Sequence, residues 1–191
     1  MAAKPGERKM QILQTLAEML QRPQSEKITT AARAAKLDVS EAALYRHFAS
    51  KAQMFEGLIE FIEQTLFGLI NKITTEEQSG MKQLEAILSL LLGFPQKNPG
   101  MTRVLIGDAL VNENERLQGR INQLHDRLEA TLRQSLRIAI SQKELAAEND
   151  ANAQANLLLC YVIGRWHQFA KSGFKREPME LWAVQFRLLM G

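Results

Sequence analysis

The chain has 191 residues, of which 46% are hydrophobic and 24% charged, with a formal net charge of +3. This is the balance of an ordinary globular protein, long enough for one sizeable core or for a small domain beside a larger one. A membrane span is excluded, because no stretch reaches the ~18 unbroken apolar residues that one needs.

The first predicted helix covers about Glu7–Leu20, with Ile12, Leu13, Leu16, Met19 and Leu20 on one broad face. Nothing in Met1–Arg8 reads as the apolar core of a signal peptide. The run Arg22-Pro23-Gln24-Ser25 ends the helix. Residues 28–51 then read ITTAARAAKLDVSEAALYRHFASK. This is two short helices joined by a tight turn, with a third helix starting at once. Thr29 is a candidate N-cap, and Ala31, Ala32, Ala34 and Ala35 make a thin helix that packs closely. Leu37-Asp38-Val39 is the turn, and Ser40 caps the second short helix. On that helix Leu44 and Phe48 face inward, while Ala42 and Arg46 face the other way. An apolar back with a small, polar and cationic front fits a major groove. A plain helical hairpin with a solvated outer face is the competing reading. Against it stand Tyr45, Arg46 and His47 at the end of the front helix. Ser50 with Gln53 forms a capping box, which sets Lys51 at a helix N-terminus suited to a phosphate.

The expected DNA contacts are Thr29, Thr30, Ser40, Glu41, Ala42, Ala43, Tyr45, Arg46, His47 and Lys51. Thr29, Tyr45, His47 and Lys51 are assigned to phosphates, and Ser40 to Ala43 to base edges, where the small alanines can meet thymine methyls. Charge supports a head of this kind. Residues 1–55 hold nine Lys or Arg against five Asp or Glu, and the remainder holds fifteen against sixteen. The basic excess therefore lies with the reading motif, as phosphate neutralisation requires.

Beyond the head, a helix is expected over about Lys51–Lys72, with Met54, Phe55, Leu58, Ile59, Ile62, Leu66, Leu69 and Ile73 apolar. It joins a DNA-binding head (1–50) to a regulatory and dimerisation body (51–191). Leu84–Phe94 is apolar nearly all round and reads as a central helix, stopped by Asn98-Pro99-Gly100. A short helix over Met101–Leu110 follows. Next comes a long one over about Asn114–Ile140, with Leu117, Ile121, Leu124, Leu128, Leu132 and Leu136 at helical spacing. Ser141–Ala151 is polar and reads as a loop. The last two helices are expected over Asn152–Lys171 and Pro178–Met190. Their aromatic residues either close the core or meet a second copy. The expectation is a dimer centred on Tyr161, Trp166, Trp182 and Phe186, because two joined heads grip a pseudo-palindrome far better than one. Cys160, the only cysteine, cannot form an internal disulfide; lying among leucines, it reads as a small core hydrophobe. Together these features point to the cytoplasm. The fold class is all-α, about nine helices.

The motif Thr29…Val39-Ser40…Leu44-Tyr45-Arg46-His47-Phe48-Ala49-Ser50-Lys51 resembles the TetR family of bacterial DNA-binding proteins. Two departures are Asp38, where the family usually has Gly, and Ala42, often Gly or Pro. Segments farther along are similar to the nucleoid-occlusion members of that family: Leu58–Glu63, Leu90–Phe94, Asn98-Pro99-Gly100 and Arg116–Leu124. This closer resemblance implies a protein that binds scattered chromosomal sites, stays with the nucleoid and, when DNA-bound, antagonises the tubulin-like division GTPase FtsZ. It also implies an FtsZ surface at Phe61, Leu90, Gly93, Lys97 and Asn98, of which Phe61, Leu90 and Gly93 also read as core. The general family resemblance implies instead a repressor released by a small effector.

Catalysis finds no support. His47, His125 and His167 make no His-x-x-x-His pair or carboxylate cluster at metal spacing. There is no Gly-rich phosphate loop, Gly-x-Ser-x-Gly elbow or paired Cys motif. No cofactor or metal is expected.

Overall fold

A computed structural model describes residues 5–21, 48–111 and 113–191. Seven α-helices and one 3-10 turn are present among the described residues, with no strand. They are α1 (Pro5–Leu20), α2 (Lys51–Glu76), α3 (Gly80–Lys97), α4 (Pro99–Leu105), the 3-10 turn (Asp108–Leu110), α5 (Glu115–Ser141), α6 (Ala151–Lys171) and α7 (Trp182–Met190). The two short helices of the reading motif fall at 28–47, outside the described residues.

Local chemistry sets the starts. Ser50 accepts from the Gln53 amide (3.2 Å), while the Gln53 side chain accepts from the Ala49 amide (2.8 Å), one residue before the cap. Ser79, Asn114 and Asp150 cap α3, α5 and α6 in the same way. α4 starts on Pro99, whose missing N–H costs nothing in a first turn.

α2 and α5 run side by side in the same direction. Lys51 pairs with Glu113, Glu56 with Arg116 and Glu63 with Arg120 (2.6 Å), and the Arg127 guanidinium lies 3.8 Å from the centre of the Phe67 ring. At the far end, the amides of Gly80 and Met81 donate to Gln142 and Glu144 (2.9 Å each), so α3 turns back from the end of α5 toward the head. The core is continuous from Ile12, Leu16 and Phe48 through α2 and α3 to Leu158, Val162 and Trp166. Head and body therefore share one apolar interior.

α3 contains Pro95, which has no N–H for the carbonyl of Leu91 one turn earlier. The Trp166 indole fills that vacancy, with Nε1–H donating to the Leu91 oxygen at 2.7 Å in a fully buried site. Trp166 is thus locked into its own chain and makes no surface for a partner, which corrects its placement at a dimer interface. Cys160 is likewise corrected: it is exposed rather than core, because its neighbours Leu158 and Leu159 take the inward face of α6.

Two boundaries move, one for backbone conformation and one for hydrogen bonding. The stretch expected as one helix over Met101–Leu110 breaks at Gly107, whose φ is +76°. The last helix starts at Trp182 rather than Pro178. The Arg165 guanidinium takes the carbonyls of Glu177, Pro178 and Glu180 (2.8, 3.2 and 3.1 Å), and Leu181 turns left-handed.

Trp166→Phe should destabilise the protein by about 3 kcal/mol, since it orphans a buried carbonyl and leaves a void. Urea unfolding should show a lower midpoint at unchanged m. In a Pro95→Ala background the new amide can serve Leu91, and the same substitution should cost about 1 kcal/mol less. Equal costs in both backgrounds would show that the indole is not replacing the proline's missing donor.

Candidate nucleic-acid and partner interface

Of the expected DNA contacts, Thr29, Thr30, Ser40, Glu41, Ala42, Ala43, Tyr45, Arg46 and His47 lie outside the described residues. Their anchors are described. Phe48, which closes the motif, is 3% exposed and packs on Gly57 of α2. Lys51 opens α2, as the spacing predicts, but its ammonium is turned onto Glu113 and lies 5.7 Å from the Phe55 ring centre. The lysine side chain is 41% exposed and its partner carboxylate 14%. A phosphate at this helix start therefore has to compete with Glu113.

The residues expected to meet FtsZ fall on two helices. Leu90, Gly93 and Lys97 follow helical spacing along α3, with Leu90 and Gly93 partly buried and Lys97 exposed. A Cβ on Gly93 would meet nothing within 4 Å, so no close approach within the chain requires glycine there. Asn98 caps α3, its side-chain amide donating to the Phe94 oxygen (2.8 Å). Phe61 lies on α2, partly buried against the core.

The aromatic set expected at a dimer interface is mostly internal. Trp182 is 6% exposed, stacks on Tyr161 (6.2 Å between ring centres), tilts against Phe186 (5.1 Å) and donates to Ser89 Oγ (2.8 Å). The Tyr161 hydroxyl donates to Gln185 (2.7 Å). These rings bind α6 and α7 to each other and to α3. The apolar surface left outside comprises Leu157 on α6 and Leu181, Val184 and Leu188 at or on α7, between 49% and 77% exposed. It continues along α6 through exposed Cys160 and Gly164, beside which there is open space. The sequence signal was available: Leu181, Val184 and Leu188 recur by three and four, as do Leu157, Cys160 and Gly164.

His125 and Trp166 meet inside the body. His125 lies beside Trp166 (6.0 Å between ring centres) and its Nε2–H donates to the Leu105 carbonyl (3.0 Å) at the end of α4. Two clefts along α2 and α5 are open rather than enclosed. One, about 460 Å³, is lined by Glu56, Glu60, Glu63, Phe67, Arg120 and Arg127. The other, about 380 Å³, is lined by Ile70, Ala130 and Ile138 together with polar residues such as Asn71, Gln83 and Gln134.

Comparison with known proteins agrees with this architecture. Residues 12–58 match the N-terminal domain of bacterial regulatory proteins of the tetR family, and residues 78–191 match the SlmA-like tetracyclin repressor-like C-terminal domain. The nucleoid occlusion factor SlmA of Alteromonas mediterranea is 51% identical over 97% of this chain and 95% of its own length. That of Shewanella pealeana is 50% identical over 99% and 96%. The chain belongs to the SlmA family of nucleoid occlusion factors, on the TetR plan. It is a DNA-binding regulator and not an enzyme. Among solved structures, FadR from Bacillus subtilis in complex with stearoyl-CoA superposes with a TM-score of 0.76 at 16% identity, over 95% of this chain and 97% of FadR. That likeness speaks for the fold alone.

Burial pulls the pKa of His125 below its ordinary value of 6.5, outweighing the Leu105 hydrogen bond and the nearby Asp126 charge, which act the other way; His167 adds to the lowering. Between the folded and unfolded pKa the unfolded chain takes up a proton that the folded chain refuses. Stability is therefore full above about pH 6.5 and falls as pH drops toward the folded pKa. The fall in melting temperature from about pH 7 to about pH 5.5 should be smaller in His125→Phe than in the parent. An unchanged fall would remove His125 from the acid response.

Proposed function

We propose that this nucleoid occlusion factor acts in the cytoplasm as a two-fold symmetric dimer on pseudo-palindromic chromosomal sites, where its DNA-bound form antagonises FtsZ assembly over the nucleoid. Residues 1–50 form the head, with the contacts expected from sequence at Thr29, Thr30, Ser40–Ala43, Tyr45–His47 and Lys51. The observation that carries the reading is the identity of about half the residues along nearly the whole chain to SlmA proteins, body as well as head.

The body supports a protein-binding role better than an effector pocket. FadR holds stearoyl-CoA in a related fold. Here Trp166, at 0% exposure, and His125 occupy the space between α3, α4 and α6. An effector-released repressor is the weaker reading.

The FtsZ surface is assigned to the α3 stripe Leu90, Gly93 and Lys97, with Asn98 and Phe61. The stripe ends at Lys97, three residues before Gly100, which lies against α1 of the head. DNA binding that shifts the head can therefore change this surface. Such a shift gives DNA and FtsZ a coupling that must be reciprocal.

Dimerisation is assigned to the face of Leu157, Leu181, Val184 and Leu188. Covering each such side chain is worth about 1.5–3 kcal/mol before association costs. Leu188→Glu should give monomers in sedimentation with an unchanged circular dichroism spectrum. A dimer that survives this change and Val184→Glu would place the interface elsewhere.

The central experiment adds purified protein to assembling FtsZ, with and without a duplex selected from chromosomal fragments, and follows polymer by light scattering. Disruption should depend on the duplex. Lys97→Asp should abolish disruption while leaving melting temperature and duplex affinity intact. Retained disruption would move the FtsZ surface off α3, and no disruption by the parent protein would overturn the FtsZ reading.

A further inference from the structure

Two glycines lie where the head packs on the helices that follow it. Gly100, at the second position of α4, lies so close to α1 that a Cβ there would stand 1.7 Å from the Ala17 carbonyl oxygen and 2.7 Å from its carbon. Both atoms are backbone, so no side chain can turn aside. Gly57, on the buried side of α2, faces Phe48, where a Cβ would stand 3.0 Å from Cε1 of the ring and 3.4 Å from Leu13 Cδ2. Ala17 and Leu13 belong to α1, and Phe48 closes the reading motif, so each glycine touches the head from a different helix, α4 or α2. The space under α1 and Phe48 is set by backbone on one side and a ring edge on the other.

We infer that Gly57 and Gly100 are positioning residues that set the separation and relative rotation of the two heads, and hence the half-site spacing that the dimer accepts. The inference rests on the proposal of a dimeric DNA reader. A methyl on Gly100 has to open the α1 contact from 1.7 Å to 3.0 Å or more. The two-fold axis repeats the shift in the partner, so head-to-head displacement is up to twice the local one. DNA is unforgiving on this scale: one base pair advances a half-site by about 3.4 Å and rotates it by roughly 35°, given ~10.5 base pairs per turn. Neither glycine reaches a base, so the sequence read within each half-site is unaffected. The ion pairs Lys51–Glu113, Glu56–Arg116 and Glu63–Arg120 hold α2 along α5, so a strain at Gly57 is passed to the head more easily than to the body.

The test is selection from a duplex pool in which two randomised half-sites are separated by spacers of varied length, run in parallel for the parent chain, Gly100→Ala and Gly57→Ala. The parent should choose one sharp spacing. The variants should choose the same half-site sequence with the preference for one spacer flattened or, in Gly100→Ala, moved by up to about a base pair. They should bind the parent's site about tenfold more weakly, the scale of one mismatched base pair. If Gly100→Ala fails to fold, Gly57→Ala carries the test, because a ring edge yields where a carbonyl cannot; adding Phe48→Leu to it should restore the parent's spacing. Folded, dimeric variants with the parent's spacing and affinity overturn the inference. So does a changed half-site sequence, which would mean that the glycines shape the reading surface itself. A parent that selects no paired half-sites sinks the dimeric reading, and the inference falls with it.

Discussion

The bond from the Trp166 indole to the Leu91 carbonyl holds the body in its arrangement. A proline inside a helix carries a penalty of about 3 kcal/mol, partly because it leaves a carbonyl without a donor. α3 carries such a proline at position 95, in the middle of the protein, where water cannot serve the orphan. One buried N–H from α6 answers it. That single partner fixes the rotation of α6 against α3. Once it is fixed, Leu158, Leu159 and Val162 point inward and Leu157, Cys160 and Gly164 are left outside. Trp182 adds a second donor to α3 at Ser89, and the Tyr161–Trp182–Phe186 rings carry α7 along with α6.

The same constraint fixes the C-terminal end of α3. Near its C-terminus the helix is clamped by Trp166, capped by Asn98 and continued at once by α4, which presses on α1. The partly buried stripe Leu90, Gly93 and Lys97 is thus mounted on a rigid element next to the reading head. Between α3, α4 and α6 the Trp166 indole and the His125 imidazole lie side by side.

The shared apolar interior is flanked by contacts of two kinds, one within the body and one between head and body. Along α2 and α5 the links are ion pairs and one cation–aromatic contact, each of them weak where exposed and sensitive to salt. Between α1 and α4 the link is direct backbone contact at Gly100, which salt does not touch. The charged ladder sets direction, and the steric contact sets distance.

Much of this was legible in the sequence by itself. Helical periodicity located the long helices, and the Ser50–Gln53 capping pair placed the start of α2 at Lys51. The motif from Thr29 to Lys51, with the later segments, pointed to a family that the comparisons then bore out. These features are local or nearly so: capping needs four residues, and periodicity needs a few turns. Tertiary structure decided which apolar side chains face the chain's own interior. Periodicity shows that α6 has an apolar side but not how far round the helix the interior extends, so by itself it puts Trp166 outside and Cys160 inside. The carbonyl that claims Trp166 is 75 residues away. Nor does sequence reveal that α7 waits until Trp182, because the carbonyls of its expected first turn are taken by Arg165 on another helix. Those outcomes depend on where distant donors come to lie, and only the packed chain fixes that.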